Sequence, residues 1–164
     1  MPRSDVPYPL PLPPFQELLD AHGRDVHRFL QSLVGQDADD CYKETWIAAL
    51  RAYPRLRDAS NLRGWILTVA HRKAIDRIRA RRREPVPVHE LPERGAPDRG
   101  FEPGDDGLWA AVAVLPDKQR AAVALRFVLD AAYAEVASVM GTSEEAARRN
   151  VHEGLKRLRT EYAQ

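Results

Sequence analysis

The sequence predicts an all-α protein, and three observations predict it. Apolar residues recur at three- and four-residue intervals through most of the chain, as they do along a buried helical face. No run of alternating β-branched residues competes with that period. Eleven of the thirteen prolines fall in two stretches, 1–14 and 84–107, which leaves the segments between them free to form helices. The expected organisation is a disordered arm over 1–14, a helical domain over 15–83, an extended acidic linker over 84–107 and a second helical domain over 108–164. Both domains are small enough for partner contacts to add to their rigidity.

Each element has its own warrant. Phe15, Leu18, Leu19, Val26, Phe29, Leu30 and Leu33 form the apolar side of a first helix that Gly35 ends. Asp37 to Asp40 then place negative charge at the start of a second helix, which suits its dipole. That helix carries Tyr42, Trp46, Ile47, Leu50 and Tyr53 before Pro54 stops it. After a loop over 55–60, a third helix puts Trp65, Ile66, Val69, Ala70, Ala74 and Ile78 on one side and arginines on the other. Beyond the linker, four more helical patches run over 108–115, 117–128, 133–140 and 143–162.

Composition excludes several classes. Apolar residues make up 44% and charged residues 30%, a globular balance, and nothing approaches the ~20 uninterrupted apolar residues of a membrane span. The proline-rich amino terminus lacks the apolar core of a secretory signal. Cys41 is the only cysteine, which excludes an internal disulfide and any CxxC site and fits the cytoplasm. It reads either as a small core residue or as an oxidation sensor. The five histidines are scattered, so no metal site and no cofactor is expected.

The net charge of +1 conceals a segregated pattern. Residues 51–83 hold eleven Lys and Arg against two acids, whereas 84–107 hold seven acids against two arginines. A cationic face beside an acidic tether marks a polyanion binder.

The stretch from Tyr133 to Arg159 reads as helix, glycine turn, helix. Gly141 permits a tight turn, and Thr142 with Glu145 three residues on makes a capping box. Ala146, Ala147, Val151, Leu155 and Leu158 form a buried stripe that leaves Arg148, Arg149, Asn150 and His152 exposed. Arginine suits guanine edges and asparagine adenine edges in a major groove. A plain helical hairpin with solvated polar residues is the competing reading.

In the first half, Asp40 and Glu44 lie four apart on one helical face. No histidine, cysteine or metal-ligand spacing converges on them, so no catalytic residue is assigned and the pair reads as a docking face or as solvated charge. The third helix mixes Trp65 with His71, Arg72, Lys73, Arg77 and Arg79, a blend that suits unpaired bases and their backbone. Trp65 equally fits a core position.

Together these residues resemble the extracytoplasmic-function (ECF) class of bacterial RNA polymerase sigma factors, over about Phe15 to Tyr162. DADDCYKETWIAALRAYPRL is similar to the polymerase-docking helix of that family, and NLRGWILTVAHRKAIDRIRARRR to its −10 region. LPDKQRAAVALRF with YAEVASVMG and the following arginine-rich helix is similar to its −35 region.

The resemblance implies a region-two-like bundle and a region-four-like helix-turn-helix, with no enzymatic activity of their own. It implies that Asp40, Glu44 and Trp46 meet the clamp helices of the polymerase largest subunit. Asp58, Ser60 and Asn61 would capture a flipped −10 base, with Arg72, Lys73, Arg77 and Arg79 holding DNA. Thr142, Ser143, Arg148, Arg149, Asn150, His152 and Lys156 would engage the −35 element. The implied partners are core polymerase, including the flap of its second-largest subunit, promoter DNA and an anti-sigma factor, and the linker would run toward the active-centre cleft. Arg149–Asn150 stands where Ser-Arg is common, and Glu153–Gly154 where a basic residue and alanine are usual. A free-standing operator-binding regulator and a nucleic-acid enzyme are the alternatives, the second lacking any clustered nucleophile or phosphate loop.

Overall fold

The structure, a computed structural model, describes residues 12–83 and 106–162. The expected arm and acidic linker lie almost wholly outside these residues. Seven helices are described: α1 (Phe15–Val34), α2 (Ala38–Ala52), α3 (Leu62–Arg83), α4 (Asp106–Ala113), α5 (Asp117–Val123), α6 (Tyr133–Met140) and α7 (Glu144–Tyr162). No strand occurs among the described residues. The all-α expectation holds, and α4 begins two residues inside the expected linker.

α1, α2 and α3 pack through their apolar stripes. Val26, Phe29 and Leu30 of α1 are fully buried, as are Ala49 of α2 and Ile66, Leu67, Ala70 and Ala74 of α3. Burying side chains the size of Phe29 or Leu30 stabilises the fold by roughly 2 kcal/mol each. α1 ends at Gly35, whose φ of 55° is open to glycine at no steric cost. Two residues on, Asp37 is buried and accepts hydrogen bonds from Arg77 (3.3 Å) and Arg81 (2.7 Å), which fastens the start of α2 to the far half of α3. Sequence reading assigned Asp37 to the helix dipole; its carboxylate is instead the partner of two α3 guanidiniums.

Ile47 and Leu50, read as part of the apolar pattern of α2, are not in the core: they are 51% and 55% exposed. Trp46 takes the inward position, its ring edge-on to Phe15 and Tyr42. Trp65 is half-buried beside Tyr53, which favours the core reading of that residue.

In the second half, α5 runs on into a wide π-type turn over Ala124–Val128, where the Leu129 amide donates to the Ala124 carbonyl at 3.3 Å. Asp130 then turns the chain with φ 52°, a left-handed conformation that aspartate tolerates better than most residues. α6 ends on Gly141 with φ 66°, and the Thr142 amide reaches back to the Ala137 carbonyl at 3.0 Å, a Schellman closure. Ser143, not Thr142, caps α7: its Oγ accepts from the Ala146 amide at 3.1 Å. Thr142 Oγ1 donates to the Ser143 carbonyl instead, so the expected capping box does not form. Gly154 sits where α7 crosses α5, and a Cβ there would come within 2.7 Å of Val123 Cγ2. That crossing explains glycine where alanine is usual.

Cys41 is fully buried, and burial, with the neighbouring Glu44 charge, pushes its thiol up to about 11. The core reading of this cysteine is therefore favoured over the sensor reading. Iodoacetamide at pH 8 is expected to alkylate Cys41 in the folded protein at least about a hundredfold more slowly than a free cysteine, with ordinary rates restored in urea. Fast labelling of the folded chain would contradict that burial.

Candidate nucleic-acid interface

α2 presents a stripe to solvent at helical spacing: Asp40, Lys43, Glu44, Ile47, Leu50 and Arg51 are all exposed. The stripe sets carboxylates next to uncovered aliphatic side chains. Asp40 and Glu44 lie on it as expected. Trp46 does not: only 7% exposed, it supports the helix from behind, and its indole N–H has no hydrogen-bond partner in the described structure. Ile47 and Leu50 are the uncovered apolar side chains of the stripe, which sequence reading had placed in the core. The signal was present, since 40, 44, 47 and 51 share a helical face, but aliphatic residues were assumed to point inward.

The loop before α3 is ordered by its own side chains. Asp58 Oδ1 accepts from the Ser60 amide at 2.9 Å, and hydrogen bonds from Ser60 hold the Asp58 carboxyl below its usual range. Asn61 Oδ1 accepts from the Gly64 amide at 2.9 Å and so caps α3. Asp58, Ser60 and Asn61 are all exposed and adjacent. Along α3, Arg72 and Arg79 are exposed and Lys73 is half-buried. Arg77 differs from expectation. Its guanidinium lies 3.3 Å from Asp37 and 3.6 Å from Asp40, and the hydrogen bond to Asp37 raises its already high pKa. A guanidinium engaged by two carboxylates is a brace between α2 and α3 rather than a free phosphate contact.

α7 carries the second cationic surface. Ser143, Arg148, Arg149, His152 and Lys156 are exposed, whereas Thr142 and Asn150 are half-buried. Arg148 donates to Glu144 at 2.8 Å, and its guanidinium carbon also lies 4.5 Å from the centre of the Tyr133 ring. Among the described residues no group of three or more His, Cys, Asp or Glu side chains could hold a metal ion. No described helix is long and apolar enough to cross a membrane.

Residues 18–84 match the family model described as Sigma-70 region 2, and residues 106–158 match Sigma-70, region 4. The ECF RNA polymerase sigma factor SigD of Mycobacterium tuberculosis is 32% identical across 89% of this chain and 76% of its own. The chain belongs to the ECF sigma factors. It is thus a sigma factor directing promoter-specific transcription initiation by RNA polymerase. SigX of Bacillus subtilis is 27% identical, covering 88% of this chain and 81% of its own. Among solved structures, the sigma factor RpoE of Bartonella quintana, in complex with the anti-sigma factor NepR, superposes with a TM-score of 0.71. It covers 89% of this chain and 94% of that one at 21% identity, a likeness of fold.

In this sigma factor the two halves lie against each other. Arg82 of α3 holds Asp117 of α5 through two hydrogen bonds of 2.8 and 2.9 Å. Arg120 donates to the Leu33 carbonyl at the end of α1 at 2.8 Å. Arg63 donates to the Leu129 carbonyl at 2.6 Å, its Nε 3.7 Å from both Asp25 and Glu135. Between α3 and the end of α6 remains a cleft of about 280 Å³, lined by His71, Arg72 and Arg79 on one side and Ser138 to Gly141 on the other. The expected −10 face is thus partly roofed by the helix-turn-helix.

His71, stacked on Phe29, has its pKa lowered, first by burial and then by the Arg72 charge; His22 is lowered by burial as well. A histidine depressed in the fold favours the folded state while neutral and opposes it once protonated. The urea midpoint is therefore expected to fall as pH drops from 7.5 through about 6.5 and below. His71→Gln should flatten part of that slope; a slope unchanged by the substitution would remove His71 from the account.

Proposed function

We propose that this sigma factor docks on core RNA polymerase through the α2 stripe, reads the −10 element with the 58–61 loop and α3, and reads the −35 element with α7. The observation that carries the reading is the union, on one chain, of a mixed acidic and aliphatic docking stripe with two separate cationic faces. A regulator that only bound duplex operators would not need the stripe. Asp40, Glu44, Ile47 and Leu50 meet the clamp helices of the polymerase largest subunit, and the second half reaches the flap of the second-largest. Asp58, Ser60 and Asn61 receive an unpaired base, whose capture offsets the few kcal/mol of unstacking. Arg72, Lys73 and Arg79 hold the backbone, and Arg148, Arg149, Asn150 and Lys156 engage the −35 duplex. The polymerase performs the chemistry, in the cytoplasm, and the sigma factor is not an enzyme. An anti-sigma factor is a fitting further partner, since the Bartonella quintana relative was solved with one.

The packed arrangement of the halves cannot serve both elements at once. Sites about 25 base pairs apart are separated by roughly 85 Å of duplex at 3.4 Å per pair. A compact chain of this length has a radius of gyration of about 15 Å and a diameter near 40 Å. Two independent domains joined by the 84–107 segment can span the gap, because that many residues extend to roughly 80 Å. Opening is therefore part of the function, and Arg63, Arg82 and Arg120 are its latch.

Transcription with core polymerase on fragmented bacterial DNA, with RNA 5′ ends mapped, tests the reading. Discrete new starts that share −35 and −10 elements are expected only when the sigma factor is added; none would refute it. Ile47→Asp should weaken core-polymerase binding at least about thirtyfold, the loss of one hot spot, without changing the helical content. Arg148→Ala with Arg149→Ala should lower −35-dependent initiation and leave core binding intact. Asp117→Lys, which sets a cation against Arg82 and Arg120, should raise the radius of gyration seen by small-angle scattering. An unchanged radius would mean that the latch does not hold the closed form.

A further inference from the structure

Tyr133 begins α6 and is not among the residues expected to contact DNA, yet two guanidinium groups lie over its ring. The carbon of Arg148 is 4.5 Å from the ring centre and that of Arg126 is 4.8 Å away. The two cations are held differently. Arg126 donates from Nη1 to the Ala131 carbonyl at 3.1 Å, so it is anchored to the turn before α6. Among the described residues Arg148 hydrogen-bonds only to Glu144 on its own helix, and it stands 58% exposed. Tyr133 itself is half-buried and packs against the shared core, which makes its ring a fixed platform.

We propose that Tyr133 is a positioning residue for promoter recognition, holding the Arg148 guanidinium flat over its ring so that the N–H edge faces the major groove. The inference rests on the reading of Arg148 as a −35 contact. A guanidinium stacked on an aromatic face keeps all five donors free at its rim, where a bidentate match to a guanine edge is made. Stacking also settles the rotamers of a long flexible side chain before DNA arrives. Glu144 cannot supply that service alone. It occupies a guanidinium donor that a base or phosphate would use, and its charge repels the DNA backbone. An uncharged ring fixes the arginine without either conflict. Arg126, held by the Ala131 carbonyl, sets a second cation over the same ring.

The test uses the full chain with core polymerase on a promoter panel carrying every single-base change in the −35 element. Tyr133→Leu keeps apolar bulk and removes the ring; Tyr133→Phe keeps the ring and removes the hydroxyl. Tyr133→Leu is expected to flatten discrimination by about fivefold at the base pair read by Arg148, the factor that one cation–π contact supplies. Other −35 positions should keep their preferences, Tyr133→Phe should restore the wild-type profile, and adding Tyr133→Leu to Arg148→Ala should cause no further loss. A uniform drop across all promoters by Tyr133→Leu, or a Tyr133→Phe profile as flat as that of Tyr133→Leu, would overturn the positioning role. Thermal melting of both variants identifies a drop that comes from lost folding, which likewise counts against it. If Arg148→Ala itself leaves the −35 profile unchanged, the −35 reading of Arg148 fails, a result separable from failure of Tyr133 alone.

Discussion

α3 has to seal a hydrophobic core and carry a cationic face within the same 22 residues, and the rest of the first half is arranged around that conflict. Its inward positions are filled by small and branched aliphatics, so α1 and α2 approach closely and burial is complete at Ile66, Leu67, Ala70 and Ala74. Its outward arginines would repel one another at close quarters if left without counter-charge. Asp37 relieves part of that repulsion by holding Arg77 and Arg81 from a buried position. Removing a single partner from such a cluster leaves an uncompensated charge, which costs more than the cluster contributes when whole. The carboxylate therefore fixes both the angle between α2 and α3 and the subset of arginines that remain free.

The halves meet through the same chemistry. Each polar link between them pairs an arginine with a carboxylate or with a backbone carbonyl: Arg82 with Asp117, Arg120 with Leu33, Arg63 with Leu129. Such bonds are directional, and water can replace them. A shared apolar cluster also runs between the halves, including Phe29 and Leu30 on one side and Leu125 and Val136 on the other. The packing of the halves is therefore held by burial and keyed by the arginines.

Helix order, helix ends and the helix-turn-helix were legible in the sequence because local physics sets them: period, proline, and glycine at positive φ. The places where the structure departs from the sequence reading share one cause. Trp46 and Ile47 are neighbours, and periodicity says that they differ in direction without saying which one the core takes. Arg77 and Arg72 look alike in sequence, and only the approach of Asp37, forty residues earlier, separates a brace from a free cation. Ser143 and Thr142 compete for one cap, and the Schellman closure at Gly141 decides it by drawing the Thr142 amide backward. In each case a long-range contact or a neighbouring turn selected between two locally equivalent residues. The packing of the two halves was beyond reach for a related reason: it rests on burial and on hydrogen bonds between residues 35 to 87 positions apart.

The π-type turn over Ala124–Val128 carries one residue more than an α-helical turn would. Each helical residue advances about 100° around the axis, so one additional residue swings everything after it through that angle. Phe127 faces outward at 59% exposure within this turn. A one-residue deletion there would tighten the turn to α-helical spacing and change the direction in which the chain leaves α5 for α6 and α7.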